Sequence, residues 1–313
     1  MDQNYGLELV RATELAALNA SLHQGQGEPI ELINSTRAAL VRGLERITLK
    51  GEMINDRFAH VPGVDPLPGM VGCGTDEMQV SAVAVEGHEA TAHGRTNAAS
   101  YAAVASPGNI RLLPRVAARF IVAPQEAYGM VDLDQSASTN IRRVARALHK
   151  YTENVTVCVL DVPRHANLIR EIQQCGARIK RIQAGEISAA MSVLTGKCDL
   201  FMGIGLAPDM GLIAAAIRCL GGYLEGQLVA ETDKELELSQ SYGLSGNEFY
   251  KVDDLVKDNQ VSFVGTGVTR GQFLDGVEFT KSGAITHSFV ARGESRTFRH
   301  IETTHFFDHM PVF

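Results

Sequence analysis

No CxxC pair occurs in this sequence, and its five cysteines are an odd number with no paired spacing. Cys158, Cys198 and Cys219 lie inside apolar runs, which reads as buried free thiols in a reducing compartment rather than a disulfide framework. There is no long basic run, and the formal net charge is −7, so nucleic acid and anionic membrane are poor partners. No stretch approaches the roughly 18 apolar residues of a membrane span. The opening MDQNYGLELVRATE has neither a basic n-region nor an apolar h-region, so no signal peptide is expected and the cytoplasm is the default location. Internal repeats and low-complexity segments are also missing.

What remains is ordinary globular material: 313 residues, 45% hydrophobic and 21% charged. That length supports one large domain or two of moderate size. Residues 5–22 carry apolar side chains at helical intervals, and QGQGEP breaks the pattern before a second amphipathic helix over about 31–47. VPGVDPLPGMVGCGTDE, rich in Pro and Gly, reads as a loop. VSAVAVEG, AASYAAVASPG, RFIVAP and GMVDL read as short strands bounded by turns. From TVCVL (156–160) apolar strands alternate with helical patterns: ANLIREIQQ stopped near Gly176, then ARIKRI, ISAAMSVL, CDLFMGIG and MGLIAAAIRCL. Such alternation specifies βαβ units and a sheet with parallel strands. After residue 261 the chain returns to strands. The boundary is placed near 152, giving subdomains 1–152 and 153–313.

Two features carry chemistry. In EGHEATAHGRTNAAS, which starts at Glu86, the residues Glu86, His88, Glu89 and His93 fall within eight positions. That cluster is either a metal site, with His88 and His93 as ligands, or the altered remnant of one. The second feature is a set of three turns, VPRH (162–165), AGE (184–186) and GIGLAPD (203–209), each joining an apolar strand to a helix start. Free amides at such starts favour anions, and Arg164 can add a bidentate clamp on a phosphate. The plainer reading is that such turns need Gly and Pro in any case. Asp209 falls in the first turn of a helix, where an acid is stabilised by the dipole whether or not it meets a metal.

The ordered series RATELAALN (11–19), EG (86–87), GRTNAASYAAV (94–104), VPRH, GIGLAPD, GTGVTRGQFLDGV (265–277) and SRTFRHIETTHFFD (295–308) resembles the class II, GlpX-type fructose-1,6-bisphosphatases. The resemblance implies a layered α/β sugar-phosphatase fold related to inositol monophosphatases, with mixed sheets sandwiched by helices. It also implies a Mg2+- or Mn2+-dependent phosphatase releasing the 1-phosphate of a ketose bisphosphate, cytoplasmic, with a sugar phosphate as partner and a homo-oligomer expected. Hard cations of this kind need several oxygen ligands and activate water.

Within that resemblance the departures fall on the chemistry. In VAVEGH, Val83 stands where the family has an aspartate, Glu86 is kept, and His88 replaces a threonine. In INDRFA, Arg57 stands at a ligand glutamate; in GEPIELIN, Pro29 and Ile33 stand at a lysine and an aspartate. Asp209 replaces a glutamate, so Glu86 and Asp209 are the two carboxylates kept of five. Glu31, Glu52 and Asp56 are substitutes if the register slips. On the sugar-phosphate side Val162 replaces a lysine beside Pro163 and Arg164, Val116 replaces a tyrosine, and Ala184 replaces the first acid before Gly185 and Glu186. The expected site is therefore Glu86 and His88 for catalysis, Glu86 and Asp209 for metal, and Gly87, His88, Pro163, Arg164, Gly185 and Glu186 for the phosphate. Two functions follow: a metal-dependent sugar bisphosphatase, impaired or changed in specificity, and a sugar-phosphate-binding paralogue that has lost catalysis.

Overall fold

The computed structural model describes residues 5–307; the first four residues of the MDQNYGLELVRATE stretch and Asp308 of the last resembling segment lie outside the described residues. The helix Tyr5–Leu22 pairs with Pro29–Leu44 in a hairpin. Pro29 suits the first turn, where its missing N–H would have had no helical partner. Gly43 lets the two backbones approach, since a Cβ there would lie 2.6 Å from the Ala12 Cα. The hairpin buries Leu9, Val10, Leu40 and Leu44 against Val80, Ala82 and Ala84 on one face of the strand Glu77–Glu86.

That strand belongs to an eight-stranded sheet. Its order is Glu278–Phe279, Gly283–Arg292, Val261–Gly267, Ala99–Ala105, Glu77–Glu86, Lys50–Ile54 and Met70–Val71, with Thr297–Phe306 also paired to Gly283–Arg292. A six-stranded sheet runs Phe249–Lys251, Tyr223–Leu228, Ala117–Ala123, Leu200–Leu206, Thr156–Leu160, Arg178–Ile182. Helices Glu186–Leu194 and Ala207–Leu220 lie between the sheets. Ile187, Met191 and Ile213 pack with Tyr101 and Phe263 of the first sheet and Phe120 and Phe201 of the second. The run LIAAAI makes Ala207–Leu220 apolar all round, as a helix covered on both sides must be. Helices Ala137–Ala147 and Ala166–Gln174 cover the far face of the second sheet through Ile141, Val144, Ile169 and Ile172. The result is five layers, helices and mixed sheets in alternation, which is the layered α/β sandwich expected. Among the described residues no helix is long and apolar enough to cross a membrane.

The second sheet is mixed, as expected: Thr156–Leu160 is parallel to both neighbours, and Ala117–Ala123 enters antiparallel between Leu200–Leu206 and Tyr223–Leu228. Two expectations need correcting. GMVDL forms no strand, because Gly129 takes φ +70° and Asn140 bonds the Asp132 backbone on both sides. LAPD is not a turn, since the helix already starts at Ala207 with Pro208 and Asp209 in its first turn.

Gly265 links this packing to the site. It sits between Tyr101 and Phe289 on neighbouring strands, and a Cβ there would lie 2.6 Å from both rings. Tyr101 cannot simply move, since its hydroxyl is bonded to Ser188 Oγ at 2.7 Å. Gly265→Ala is therefore expected to cost about 1–3 kcal/mol by overpacking. Denaturant unfolding checks this, and an unchanged midpoint would show that the rings give way freely.

Candidate active-site crevice

Glu86 reaches the crevice because of a β-bulge. Val83 pairs with Tyr101, but Glu86 pairs with Ala99, so one extra residue is inserted before the strand ends. Simple alternation would have put Glu86 with Ala82 and Ala84 under the helical hairpin; the bulge returns it to the Val83 side. There its carboxylate accepts the Ile187 N–H at 2.7 Å, the Ser188 N–H at 3.0 Å and the Ser188 hydroxyl at 2.8 Å. The positive start of the Glu186–Leu194 helix is thus filled by the protein's own carboxylate. Those amides at the AGE turn are not free for a phosphate.

Arg57 arrives from the turn after Lys50–Ile54. Asn55 fixes that turn at φ +59°, bonding Arg111 and Leu113 backbone atoms with its side chain. Asp56 accepts two 2.7 Å bonds from Arg37 and one from the Phe58 N–H. The Arg57 carbonyl accepts a 2.6 Å bond from Arg115 Nε. So anchored, the buried guanidinium lies 3.4 Å from Asp209, 3.8 Å from Glu86 and 4.0 Å from Glu186. These are ion contacts rather than hydrogen bonds, and both Asp209 carboxylate oxygens are buried without a hydrogen-bond partner.

Burial dominates the ionisation of the acids. It pushes Glu86 up to about 7, with Glu186 adding repulsion and Arg57 opposing. It likewise pushes Asp209 up to about 8, against the pull of Arg57. Burial alone would weaken the Arg57 charge, but Asp209, Glu186 and Glu86 outweigh it and hold the guanidinium more firmly protonated than usual. His88 is half-buried edge-on to the Phe58 ring; burial, Arg57 and Arg115 lower it to about 4, so it is neutral at pH 7.

The structure therefore brings Glu86, Asp209 and Glu186 together, with His88 close to Arg57. Gly87 turns the chain at φ +81° into the short helix His88–Ala92, and Gly185 does so at φ +104° before Glu186. Pro163 and Arg164 stand in the short 3-10 turn Pro163–His165 after Thr156–Leu160. Arg164 is exposed and donates to the Ile204 carbonyl at 2.6 Å. It lines a cavity with Asn140, Leu168 and Glu171, on the face of the second sheet that carries the outer helices. His93 is exposed and bonded to its own helix at the Glu89 carbonyl, so it does not join His88 in a shared site. Sequence reading missed Arg115, Arg37 and Ser188, which have no motif and act through tertiary position alone.

A divalent cation does not fit these residues. Ile33 and Val83 are core side chains, packed among Phe58 and Val85 in one case and Tyr101 and Ile187 in the other. Glu31 and Glu52 are exposed, and Asp56 is bound to Arg37. Among the described residues no three His, Cys, Asp or Glu side chains form a group suited to a metal. The point where the three acids converge is taken by Arg57.

Comparison with known proteins follows the same line. A family model described as bacterial fructose-1,6-bisphosphatase, glpX-encoded, matches residues 3–305. The D-fructose 1,6-bisphosphatase class 2/sedoheptulose 1,7-bisphosphatase of Synechococcus elongatus is 31% identical over 337 aligned residues, covering 98% of each chain. Its namesake in Microcystis aeruginosa is 30% identical over 341, again covering 98% of each.

Removing one partner of a buried charge cluster costs about 3–5 kcal/mol. Arg57→Met is expected to lose that much at pH 8. The loss should shrink near pH 6, where Glu86 and Asp209 take up protons. The unmodified protein has the same sign: its folded state keeps protons that the unfolded chain releases, so stability falls as pH rises from the ordinary carboxylate range to about 8. Urea unfolding across pH 5–9 measures both, and equal losses for Arg57→Met at the two pH values would contradict the charge argument.

Proposed function

Because the chain belongs to the bacterial, GlpX-type fructose-1,6-bisphosphatase family, we propose that it binds a sugar phosphate and has lost metal-dependent release of the 1-phosphate. The observation that carries this reading is Arg57 among Glu86, Glu186 and Asp209. A guanidinium neutralises the acids as a cation must. It offers no open coordination position, however, and cannot lower the pKa of a bound water. Its charge is permanent at any working pH, so deprotonation cannot release it to admit a metal.

The neighbouring groups support the same conclusion. Glu86 spends its oxygens on the Ile187 and Ser188 donors. His88 stands where the resemblance implies a threonine, and as a neutral ring it supplies no hydroxyl there. Arg115 remains half-buried beside the cluster, where burial and Arg57 weaken its charge and Asp209 restores part of it. It is the cation best placed to meet an anionic ligand at this crevice.

One observation favours the second reading, a working metal-dependent phosphatase: the three acids still converge on one point. Assay separates the two. With Mg2+ or Mn2+ and fructose 1,6-bisphosphate, phosphate release should be at least about 10³-fold slower than by the Synechococcus relative, since loss of even one transition-state donor costs 10²–10³. Ile33→Asp, Arg57→Glu and Val83→Asp combined should raise Mn2+ affinity more than any one of them, because ligands act as a set. Rates matching the relative would establish the phosphatase reading instead.

A further inference from the structure

Thr297–Phe306 forms one edge of the first sheet. It pairs with Gly283–Arg292 in unbroken register along its whole length and, among the described residues, with no other strand. The Phe307 N–H donates to the Ser282 carbonyl at 2.9 Å, which sets the phase of that ladder. On the other side of Gly283–Arg292 the Gly293 N–H donates to the Val261 carbonyl, in the matching phase. His305, Thr303, Ile301 and Arg299 therefore direct their backbone groups at Gly283–Arg292. Phe298, His300, Glu302, Thr304 and Phe306 turn theirs to the open edge. Proline, lysine or a bulge ordinarily blunts so long an edge. Thr297–Phe306 has none of the three.

The charges at this edge select a partner. Glu278, His287 and Glu302 stand in a row across the sheet, with His287 3.8 Å from Glu278 and 3.9 Å from Glu302. The row ends on the exposed Glu302, and the exposed His300 stands two residues away on the same side of the strand. An antiparallel neighbour must set outward backbone groups opposite outward groups, so its register moves only in steps of two. For a second copy related by a two-fold axis, an axis at Glu302 sets two carboxylates face to face, which is destabilising. An axis at His300 opposes two histidines, and one at Thr303 leaves Glu302 opposite Thr304. An axis at Ile301 sets His300 opposite Glu302 of the second copy, and does so twice. The row of acids and histidines then continues through the junction.

We propose that the open edge of Thr297–Phe306 is an interface for a second copy of this chain, the two strands pairing antiparallel about an axis at Ile301 so that the first sheets of both copies become one. Backbone bonds between residues 298–304 hold the copies together, and the two His300–Glu302 pairs fix the register. This edge lies across the sheet from Lys50–Ile54, the strand that leads to Arg57, so the inference does not rest on the reading of the Arg57 cluster.

Sedimentation velocity at micromolar protein and disulfide trapping test it together. The unmodified protein should sediment as a dimer or an even multiple of one. His300→Glu opposes Glu302 to an acid, and Glu302→Lys opposes His300 to a base. Each change is met twice across the axis, so each should weaken association by about tenfold. The double variant His300→Glu/Glu302→Lys restores opposite charges and should restore association. For trapping, Cys73→Ser first removes the exposed native thiol. Ile301→Cys should then form a disulfide between copies on oxidation, because facing positions outside the hydrogen-bonded pairs lie about 4.5 Å apart at Cα. Thr303→Cys, which meets Arg299 of the second copy, should not. A monomeric unmodified protein would overturn the proposal, as would association that neither charge change weakens or that the double variant fails to restore. Crosslinking through Thr303→Cys rather than Ile301→Cys, or through neither, would also overturn it.

Discussion

Three acids from three separate elements meet at one buried guanidinium, and the two sheets are joined through that meeting. Glu86 ends a strand of the first sheet, Glu186 opens a helix between the sheets, and Asp209 opens the next one. Arg57 comes from the turn after an edge-side strand of the first sheet. Without a cation the acids would repel each other in a medium that screens poorly. With one, the strand end and both helix starts are held at a common point. Even so burial outweighs the pull of that cation, which is why Glu86 and Asp209 titrate above the ordinary carboxylate range.

A divalent ion in this position would do two things: hold the acids and activate water. Arg57 performs the first alone. The scaffold can therefore keep its layers and its bulge at Glu86 without a divalent ion, because fold and chemistry depend on different properties of the cation. The surrounding replacements agree. Ile33 and Val83 pack as core residues, and Glu86 serves as a helix cap. Restoring one acid would leave it facing apolar neighbours and a fixed positive charge.

Much of the fold was legible in the sequence. The period of the first two helical patterns and the strand–helix alternation after residue 156 reflect local rules, and the Ala166–Gln174 helix has the bounds that Gly176 implied. What escaped was decided by pairing partners. Ala117–Ala123 looks like its neighbours in composition, and nothing in RFIVAP says that it runs against them. The convergence of Glu86 and Asp209 was legible through the resemblance, and Arg57 was visible as a charge of the wrong sign in a ligand position. The bulge that aims Glu86, the Ser188 bonds that hold it and the bond from Arg164 to the Ile204 carbonyl are tertiary facts.

The most direct test of the central claim is thermal unfolding with and without millimolar Mn2+, for the unmodified protein and for Arg57→Gly. If Arg57 stands in the cation's place, Mn2+ leaves the unmodified protein's Tm unchanged and raises that of Arg57→Gly by several degrees, saturably, as a ligand bound only to the folded state must. A saturable Mn2+ shift of the same size in the unmodified protein would contradict the claim.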